Sequence, residues 1–354
     1  MRILYVGRNA SIGGGSTFRL NMGRGMKALG HEVSIATFGG PMAARWVKAG
    51  LRFYWVPPFR IFSGMVERVM RRERIEVVHA SNTTAGDRAL LACRRAGLPL
   101  VLSLHNTISN EEAKHQCLKE ARRIVVFDDG AAQSAGKFTS EFDTSKIIRL
   151  PRPVEHRPLD PERLSPHHVA YVARMSSRKG RVALSLLEGF RAYAKEYPQA
   201  RMTLIGDGSL RGEVTRRAGE ISRETGCRID VHGPVLDPAP LLAGAGLLVG
   251  AGYAALEAAM QGRAVLGAGF NGYGLVTADA VEEAVAANFG DTVGGWEMTP
   301  ENMRQALLTV TRAWDQPAER ARYWGLDRVL APIHAIENVA PRLEAVYREV
   351  LERA

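Results

Sequence analysis

Short runs rich in β-branched residues alternate with helical stretches along this chain, and that alternation limits the folds it can adopt. One strand–helix–strand unit reads RILYV, a glycine-rich loop, FRLNMGRGMKALG and EVSIAT. A second reads IEVVHAS, a helix ending in ALLACRRAG and PLVLSLH, and we expect further strands at RRIVVF and KIIRL. Successive parallel strands need a crossover connection, which is usually a helix. The pattern therefore predicts a doubly wound parallel sheet.

The alternation stops at a proline-rich segment and then starts again. Residues 151–166 hold five prolines among many charges, which is typical of a linker. After it, strands are expected at HVAYVAR, MTLIGDG, RIDVHG, LLVGAG and AVLGAG, with helical stretches between them. A chain of 354 residues is long enough for two domains.

We therefore predict two Rossmann-like α/β domains, over residues 1–155 and 156–330, that face each other across a cleft. A C-terminal helix within residues 331–354 is expected to pack back on the first domain. Ligands of open α/β sheets bind outside the carboxyl ends of the strands, so the cleft is the expected site.

Composition excludes several classes of protein. Apolar residues make up 46% of the chain and charged residues 24%, the balance of a soluble globular protein. No apolar run approaches the roughly 20 residues that span a bilayer, and the N-terminal apolar run is too short for a signal peptide. The cysteines Cys93, Cys117 and Cys227 lack metal-ligand spacing, so we expect reduced thiols and a cytoplasmic protein.

The excess positive charge lies entirely in the N-terminal half. Residues 1–157 carry a net charge of +12 and the remainder −2. This asymmetry suggests an anionic partner, such as nucleic acid, an anionic membrane surface or an acidic acceptor, although general solubility is an alternative. No nucleic-acid recognition motif is present, so nucleic acid is disfavoured.

One stretch of this half, FRIFSGMVERVMRRERIE, combines an apolar stripe with a basic face. An interfacial helix needs that combination, so we hypothesise docking on the inner face of the cell membrane. An ordinary core-packing helix with a charged outer face is the alternative. The stretch contains the apolar residues Phe59, Ile61, Phe62, Met65, Val66, Val69 and Met70 and the basic residues Arg60, Arg68, Arg71, Arg72 and Arg74.

Glycines 13, 14 and 15 follow the first expected strand and precede a helix. Glycine lets the backbone approach a ligand closely, and a helix N-terminus offers free N–H groups to an anion. The spacing is not GxGxxG, which disfavours an NAD site, and a plain turn remains an alternative.

The second half carries two candidate cations and one candidate carboxylate. Arg174 and Lys179 lie in the loop after that half's first strand, where fixed positive charge suits a departing diphosphate. A solvated basic loop is the alternative. Glu257 lies near the start of an otherwise apolar helix and could accept two ribose hydroxyls; capping or a helix-dipole contact is the alternative.

Taken in order, these motifs resemble those of the family-4 retaining glycosyltransferases, which have the two-domain GT-B architecture. In the first half the resemblance rests on RILYVG, Gly13–Gly14, GHEV, IEVVHAS and the strand-end His105 in LSLHN. In the second half it rests on RMSSRKG, LIGDGSLR, HGPV, LEAAMQGRAV and the C-terminal LEAVYREVL. The resemblance covers nearly the full chain.

The resemblance implies roles for these residues. Arg174 and Lys179 would bind the donor phosphates and assist catalysis, and Glu257 would bind the ribose. His105 would lie near the transferred sugar, with a core histidine as the alternative. The glycines implied in donor binding are Gly13, Gly14, Gly206 and Gly208, and the segment Gly269–Gly274 would shape the pocket.

The sequence also departs from the family. The usual signature has two glutamates with seven residues between them; the second corresponds to Glu257, but the first corresponds to Val249. Asp128 and Asp129 are the nearest approach to an acidic metal-binding cluster, and we interpret them as a cap of the following helix. Because cations and helix N-termini can stabilise a diphosphate, we predict no metal and no cofactor.

The resemblance implies transfer of a sugar from a UDP or GDP donor with retention of anomeric configuration. A glycan or lipid-linked acceptor of cell-envelope, polysaccharide or glycolipid synthesis is expected, with the protein peripheral on the inner face of the cell membrane. Alternatives are a degenerate GT-B protein that binds nucleotide or glycan as a partner subunit, and a nucleotide-sugar epimerase.

Overall fold

The computed structural model describes residues 1–57 and 61–353, which form two compact units. One unit, the N-domain, comprises residues 1–154 and 333–354, and the other, the C-domain, comprises residues 155–332. Each unit contains one β-sheet whose strands alternate with helices along the chain, so the predicted α/β fold class is confirmed.

The N-domain sheet has seven parallel strands in the order β3-β2-β1-β4-β5-β6-β7. Central strands such as β4 are buried along their whole length, as expected when helices cover both faces. The edge strand β3 was not predicted; its first and last residues are exposed and its middle two are half-buried. The strands are β1 Arg2–Asn9, β2 Glu32–Phe38, β3 Arg52–Trp55, β4 Val77–Ala80, β5 Leu100–Leu104, β6 Arg123–Val126 and β7 Ile147–Arg149.

Side chains cap the free N–H groups of several N-domain helices. Asn82 accepts a hydrogen bond from the Ala85 N–H at 2.8 Å at the start of α4, and Gly97 ends that helix with a φ of 65°. The helices of the first 154 residues are α1 Gly14–Ala28, α2 Met42–Lys48, α3 Phe62–Arg72, α4 Thr83–Ala96, α5 Asn110–Ala113, α6 Gln116–Glu120 and α7 Asp129–Gly136.

Helix α3 contains most of the stretch that we considered as an interfacial helix. Its apolar side chains Phe62, Val66, Val69 and Met70 are buried in the N-domain core. The apolar stripe is therefore not free to enter a membrane, and the core-packing alternative describes it. Of the same stretch, Phe59 and Arg60 lie outside the described residues.

The C-domain sheet has six strands in the order β10-β9-β8-β11-β12-β13. The first five pair in parallel, but β13 is antiparallel to β12, so this sheet is mixed and not purely parallel as expected. The strands are β8 Ser165–Val172, β9 Arg201–Ile205, β10 Arg228–His232, β11 Ala245–Gly250, β12 Ala264–Ala268 and β13 Gly272–Leu275.

Helices pack on this sheet around a core that includes Tyr171, Leu187 and Phe190. The helices are α8 Lys179–Glu196, α9 Arg211–Thr225, α10 Ala239–Leu242, α11 Gly252–Met260, α12 Val281–Ala286, α13 Pro300–Trp314 and α14 Pro317–Tyr323. Short 3-10 helices lie at Thr144–Lys146 in the N-domain and at Pro161–Arg163, Ala278–Ala280 and Asn288–Gly290 in the C-domain.

After α15 (Asp327–His334) the chain enters the last helix, α16 (Ile336–Glu352), which packs on α1 of the N-domain. Gly25 of α1 permits the close approach, since a Cβ there would lie 2.7 Å from the Ala340 Cβ. The Tyr347 hydroxyl lies 2.6 Å from Nδ1 of His79 and donates to the Tyr5 hydroxyl at 3.1 Å. The expected return of the C-terminal helix is confirmed.

Among residues 1–57 and 61–353, none of the helices is both long and apolar enough to span a bilayer. The three cysteines are buried free thiols, as expected.

Candidate functional site

The C-domain sheet has a topological switch point between β8 and β11. The chain leaves β8 for β9 on one side, and β11 pairs with β8 on the other. Ligands of open α/β sheets bind outside the carboxyl ends of the strands at such a point. The loop after β8 carries Arg174 and leads to Lys179, and the loop after β11 leads into α11.

Lys179 is the first residue of α8, and only 8% of it is exposed. Its Nζ lies 2.6 Å from Oδ1 of Asp291 and 4.7 Å from the ring centroid of Phe270. The Tyr171 hydroxyl donates to the main-chain carbonyl of Lys179 at 2.6 Å, which fixes the start of the helix. Neither Asp291 nor Phe270 was predicted as a partner of this lysine.

Arg174 differs from Lys179 in its surroundings. Its side chain is exposed, and it has no hydrogen-bond or ion-pair partner within the described part of the chain. The two predicted cations therefore present one free guanidinium and one ammonium that is already paired.

Gly206 and Gly208, in the loop after β9, are packed against the Arg174 loop. A Cβ on Gly206 would overlap the carbonyl oxygen of Ala173, and one on Gly208 would overlap the backbone of Met175. The Met175 N–H donates to the Asp207 carbonyl at 2.8 Å, which ties the two loops together. Close packing is thus a sufficient reason for glycine at both positions, and it holds the loop that carries the arginine.

Glu257 is the sixth residue of α11 and is half-buried. The N-cap of this helix is Ala251, so Glu257 is not a cap. Val249 lies in β11 with 0% exposure, in the C-domain core. The position of the usual first glutamate is therefore a core position here.

Asp291 is held by an unusual stretch of backbone. Asn288, Phe289 and Gly290 have φ values of 52°, 55° and 84°, in the left-handed region that L residues with side chains rarely adopt. The Phe270 N–H donates to Oδ1 of Asp291 at 3.3 Å, and a Cβ on Gly269 would lie only 2.7 Å from that oxygen. Two separate loops are built around this carboxylate.

In the N-domain, Gly13 and Gly14 form the start of α1. Gly13 is the N-cap, with a φ of 158°, and no side chain caps the N–H groups of this helix. Gly15 faces His105, because a Cβ there would lie 3.9 Å from the His105 Cδ2. The glycine loop and His105 are thus neighbours.

His105 follows β5 and packs between two aromatic rings. Its ring stacks on Phe127 at 4.9 Å and meets Phe18 edge-on at 5.1 Å. The Nε2 atom lies 3.3 Å from the Ser103 hydroxyl, while Nδ1 is buried without a hydrogen-bond partner among the described residues. Burial, followed by the charge of Arg152, holds the pKa of His105 well below its usual range, so the ring is neutral near pH 7.

Arg19 of α1 is a buried cation that the sequence analysis missed. It is 3% exposed and donates to the Ser81 hydroxyl, to the Asn9 carbonyl at 2.8 Å and to the Ser16 hydroxyl at 2.9 Å. Burial lowers its pKa to about 10. Since Asn9 ends β1 and Ser81 follows β4, Arg19 joins the loops at the switch point of the N-domain sheet.

Asp128 is the N-cap of α7, as predicted. Its carboxylate accepts a hydrogen bond from the Ala131 N–H at 2.8 Å and forms a buried ion pair with Arg152. In residues 1–57 and 61–353, no cluster of three or more His, Cys, Asp or Glu side chains is arranged to hold a metal ion.

Comparisons with known proteins support the resemblance. Residues 12–157 match the model of Glycosyltransferase Family 4, so the match covers the first domain and not the second-domain motifs. A comparison with curated protein sequences finds no significant match.

Solved structures share the fold at low sequence identity. A glycosyltransferase from Rickettsia africae ESF-5 is 17% identical, with a TM-score of 0.72 over 100% of this chain and 99% of that one. Anabaena HepE in complex with UDP and glucose is 14% identical, with a TM-score of 0.74 over 98% and 99%. A sucrose-phosphate synthase from Thermosynechococcus elongatus is 15% identical, with a TM-score of 0.67 over 100% of each chain. The fold is that of the GT-B glycosyltransferases, and the predicted likeness to family 4 is confirmed.

Proposed function

We propose that this family-4-like protein is a glycosyltransferase that moves a sugar from a nucleoside diphosphate donor to an acceptor, with retention of configuration and without a metal ion. The observation that carries the proposal is the pair of cations, Arg174 and Lys179, at the carboxyl end of β8 beside the switch point of the C-domain sheet. The family match of residues 12–157 and the GT-B fold support the enzyme class.

The cations would act on the leaving group. As the bond between sugar and diphosphate breaks, the phosphate oxygen keeps the electron pair and its negative charge grows. Fixed positive charge at that position stabilises the transition state more than the ground state. Arg174 is exposed and unpaired, and the positive end of the α8 dipole lies beside Lys179. These groups can offset part of the negative charge of a diphosphate, and on that ground we propose metal independence.

For retention we propose that the acceptor hydroxyl attacks the face of the sugar that the diphosphate leaves. The new carbon–oxygen bond forms as the old one breaks, and the hydroxyl proton passes to the departing phosphate oxygen. We assign His105 a position near the transferred sugar, with the Gly13–Gly14 turn as an anion-binding element. Because the His105 ring is neutral near pH 7, it would act as a hydrogen-bonding group and not as a cation.

Glu257 is proposed to bind the ribose, since one carboxylate can accept hydrogen bonds from two neighbouring hydroxyls. UDP is the first nucleotide to test, because the HepE structure of the same fold contains UDP. GDP is the next.

The acceptor is proposed to be a glycan or lipid-linked molecule of the cell envelope, reached from the cytoplasm at the membrane surface. The support for this proposal is the net charge of +12 on residues 1–157, which favours an anionic partner. A degenerate GT-B protein that binds nucleotide as a partner subunit is the competing proposal, and the buried Val249 favours it.

The first experiment is a thermal-shift titration with UDP, GDP, ADP and CMP. A ligand that binds the folded state alone raises the melting temperature. We expect one nucleoside diphosphate to stabilise the protein, and Arg174→Ala and Lys179→Ala to weaken its binding by about 10- to 100-fold, as expected for loss of a charge-assisted hydrogen bond.

Arg223→Ala is the matched control, because Arg223 is an exposed arginine in the last turn of α9, at the opposite end of the helix layer. Its binding should equal that of the wild type. Equal nucleotide binding by Arg174→Ala, Lys179→Ala and Arg223→Ala would show that the first two residues do not bind the phosphates. Nucleotide binding without sugar transfer or donor hydrolysis would favour the degenerate protein.

A further inference from the structure

Lys179, one of the two proposed phosphate-binding cations, forms an ion pair with Asp291. The Nζ–Oδ1 distance is 2.6 Å, and both side chains are largely buried. Asp291 is the only acidic residue within ion-pair distance of Lys179 in the described part of the chain. The charge of Lys179 is therefore neutralised from within the C-domain.

The surrounding backbone is shaped to hold this carboxylate. Three successive residues, Asn288 to Gly290, adopt positive φ directly before Asp291, and two of them are not glycine. Strain of this kind persists where the surrounding structure imposes it, and it is concentrated at functional sites. Gly269 leaves room for Oδ1 that a side chain would fill, and the Phe270 N–H donates to the same oxygen.

The second carboxylate oxygen lies near the start of α11. A Cβ on Gly252, the first residue of α11, would lie 3.9 Å from Oδ2 of Asp291. The start of a helix stabilises negative charge. Asp291 thus pairs with Lys179 and lies near the first residue of α11.

We infer that Asp291 is a specificity-determining residue of the donor site, whose carboxylate serves as a resident counterion of Lys179 and yields that position to the diphosphate. The inference rests on the proposed function. A ligand must bring enough negative charge to replace the carboxylate, so weakly charged or neutral molecules gain nothing from Lys179. A carboxylate left beside a bound phosphate also repels it, so Asp291 lowers the affinity for anions and favours release of the nucleotide product.

The direction in which Asp291→Asn changes the affinity for anions distinguishes this role from a purely structural one. If Asp291 competes with the ligand, Asp291→Asn leaves Lys179 without a counterion, which lowers the melting temperature of the free protein. A bound anion then restores the missing negative charge, so the affinity for anions rises. If Asp291 only positions Lys179, the same variant lowers both the melting temperature and the affinity.

The experiment measures binding of UDP and of inorganic pyrophosphate by calorimetry to the full-length wild type, Asp291→Asn and Lys179→Ala, with melting temperatures of each. Asparagine is close in size and keeps an acceptor for the Phe270 N–H, so the local backbone is preserved. The matched control is Asp279→Asn, since Asp279 is exposed in the same domain and has no ion-pair partner among the described residues.

We expect Asp291→Asn to bind both anions about tenfold more tightly, to melt a few degrees lower without ligand, and to lose the gain when combined with Lys179→Ala. Asp279→Asn should leave both quantities unchanged. Weaker or unchanged anion binding by Asp291→Asn, or a gain equal to that of Asp279→Asn, overturns the inference.

Pyrophosphate separates this inference from the proposed function, because it needs no nucleoside site. Tighter pyrophosphate binding by Asp291→Asn, with no binding of any nucleotide by any form, would support the inference and count against the glycosyltransferase. Nucleotide binding that is weakened by Arg174→Ala but unchanged by Asp291→Asn would support the glycosyltransferase and overturn the inference about Asp291.

Discussion

Arg19 and His79 are buried in the N-domain without an opposite charge beside them. Arg19 relies on two hydroxyls and a carbonyl, and among residues 1–57 and 61–353 it has no carboxylate partner. His79 is fully buried, with Nδ1 at the Tyr347 hydroxyl and Nε2 unpartnered in the described structure. A buried ionisable group without a counterion favours its neutral form. At the scale of single residues, we therefore expect the stability of the N-domain to depend on pH.

The His79 side chain gives the clearest pH prediction. Burial lowers its pKa to about 3, below the usual value of about 6.5, so the unfolded chain binds a proton that the folded chain does not. Its contribution to stability is present above about pH 6.5 and is lost as the pH falls toward 3. The loss amounts to about 2 kcal/mol at pH 5.

In the wild type, His79 should make the free energy of unfolding about 2 kcal/mol lower at pH 5 than at pH 7. We expect His79→Gln to remove this difference. Urea titrations at the two pH values measure it. His232→Gln is the control in the C-domain, since His232 is only half-buried. Equal pH dependence in His79→Gln and wild type would mean that His79 is already protonated in the folded state or not exposed on unfolding.

At the scale of elements, loops after the strands of the C-domain are held by one another. The loop after β9 lies against the loop after β8 through Gly206 and Gly208 and through the Met175–Asp207 hydrogen bond. The position of Arg174 is therefore set by a neighbouring loop as well as by its own strand. A substitution at Gly206 or Gly208 should therefore displace Arg174, although neither glycine contacts the arginine side chain.

We expect Gly206→Ala to destabilise the protein by more than 1 kcal/mol and to weaken nucleotide binding, since its Cβ would overlap the Ala173 carbonyl. Gly219→Ala is the matched control: Gly219 lies inside α9, and a Cβ there meets nothing within 4 Å. That variant should be more stable by about 0.5–1 kcal/mol with unchanged binding. Chemical denaturation and UDP titration measure both; a tolerated Gly206→Ala would refute the loop contact.

At the scale of the whole molecule, positive charge is segregated along the chain. Residues 1–157 carry +12, whereas the rest carries −2. The apolar stripe of α3 is used in the core, so any attraction to a membrane would come from exposed arginines such as Arg68. Attraction of this kind is electrostatic and screened by salt.

We predict co-sedimentation with vesicles that contain anionic lipid, at low salt, and release at about 0.5 M salt, where the screening length is only a few ångströms. Arg68→Glu should bind less than the wild type, whereas Arg223→Glu in the C-domain should bind nearly as well. Equal binding to neutral vesicles, or binding that salt does not weaken, would contradict electrostatic docking.

The sequence by itself determined what depends on neighbours along the chain. Alternating strands and helices predicted two α/β domains, because a parallel sheet requires that order. The edge strands β3 and β13, of four residues each, were not predicted. Asp128 was predicted as a cap because capping is decided within a few residues. Arg174 and Lys179 were selected because they follow a buried strand, where ligands of such sheets bind.

Only the tertiary structure decided which of these residues meet distant partners. Lys179 pairs with Asp291, which lies far along the chain, and no local pattern encodes that contact. The apolar stripe of α3 is compatible by sequence with either a membrane surface or a protein core. In the folded structure it packs into the N-domain core. Arg19 reads as one more basic residue of a helix, but the fold buries it between two strand ends. Burial and pairing of charges are set by contacts between remote segments, which exist only once the chain has folded.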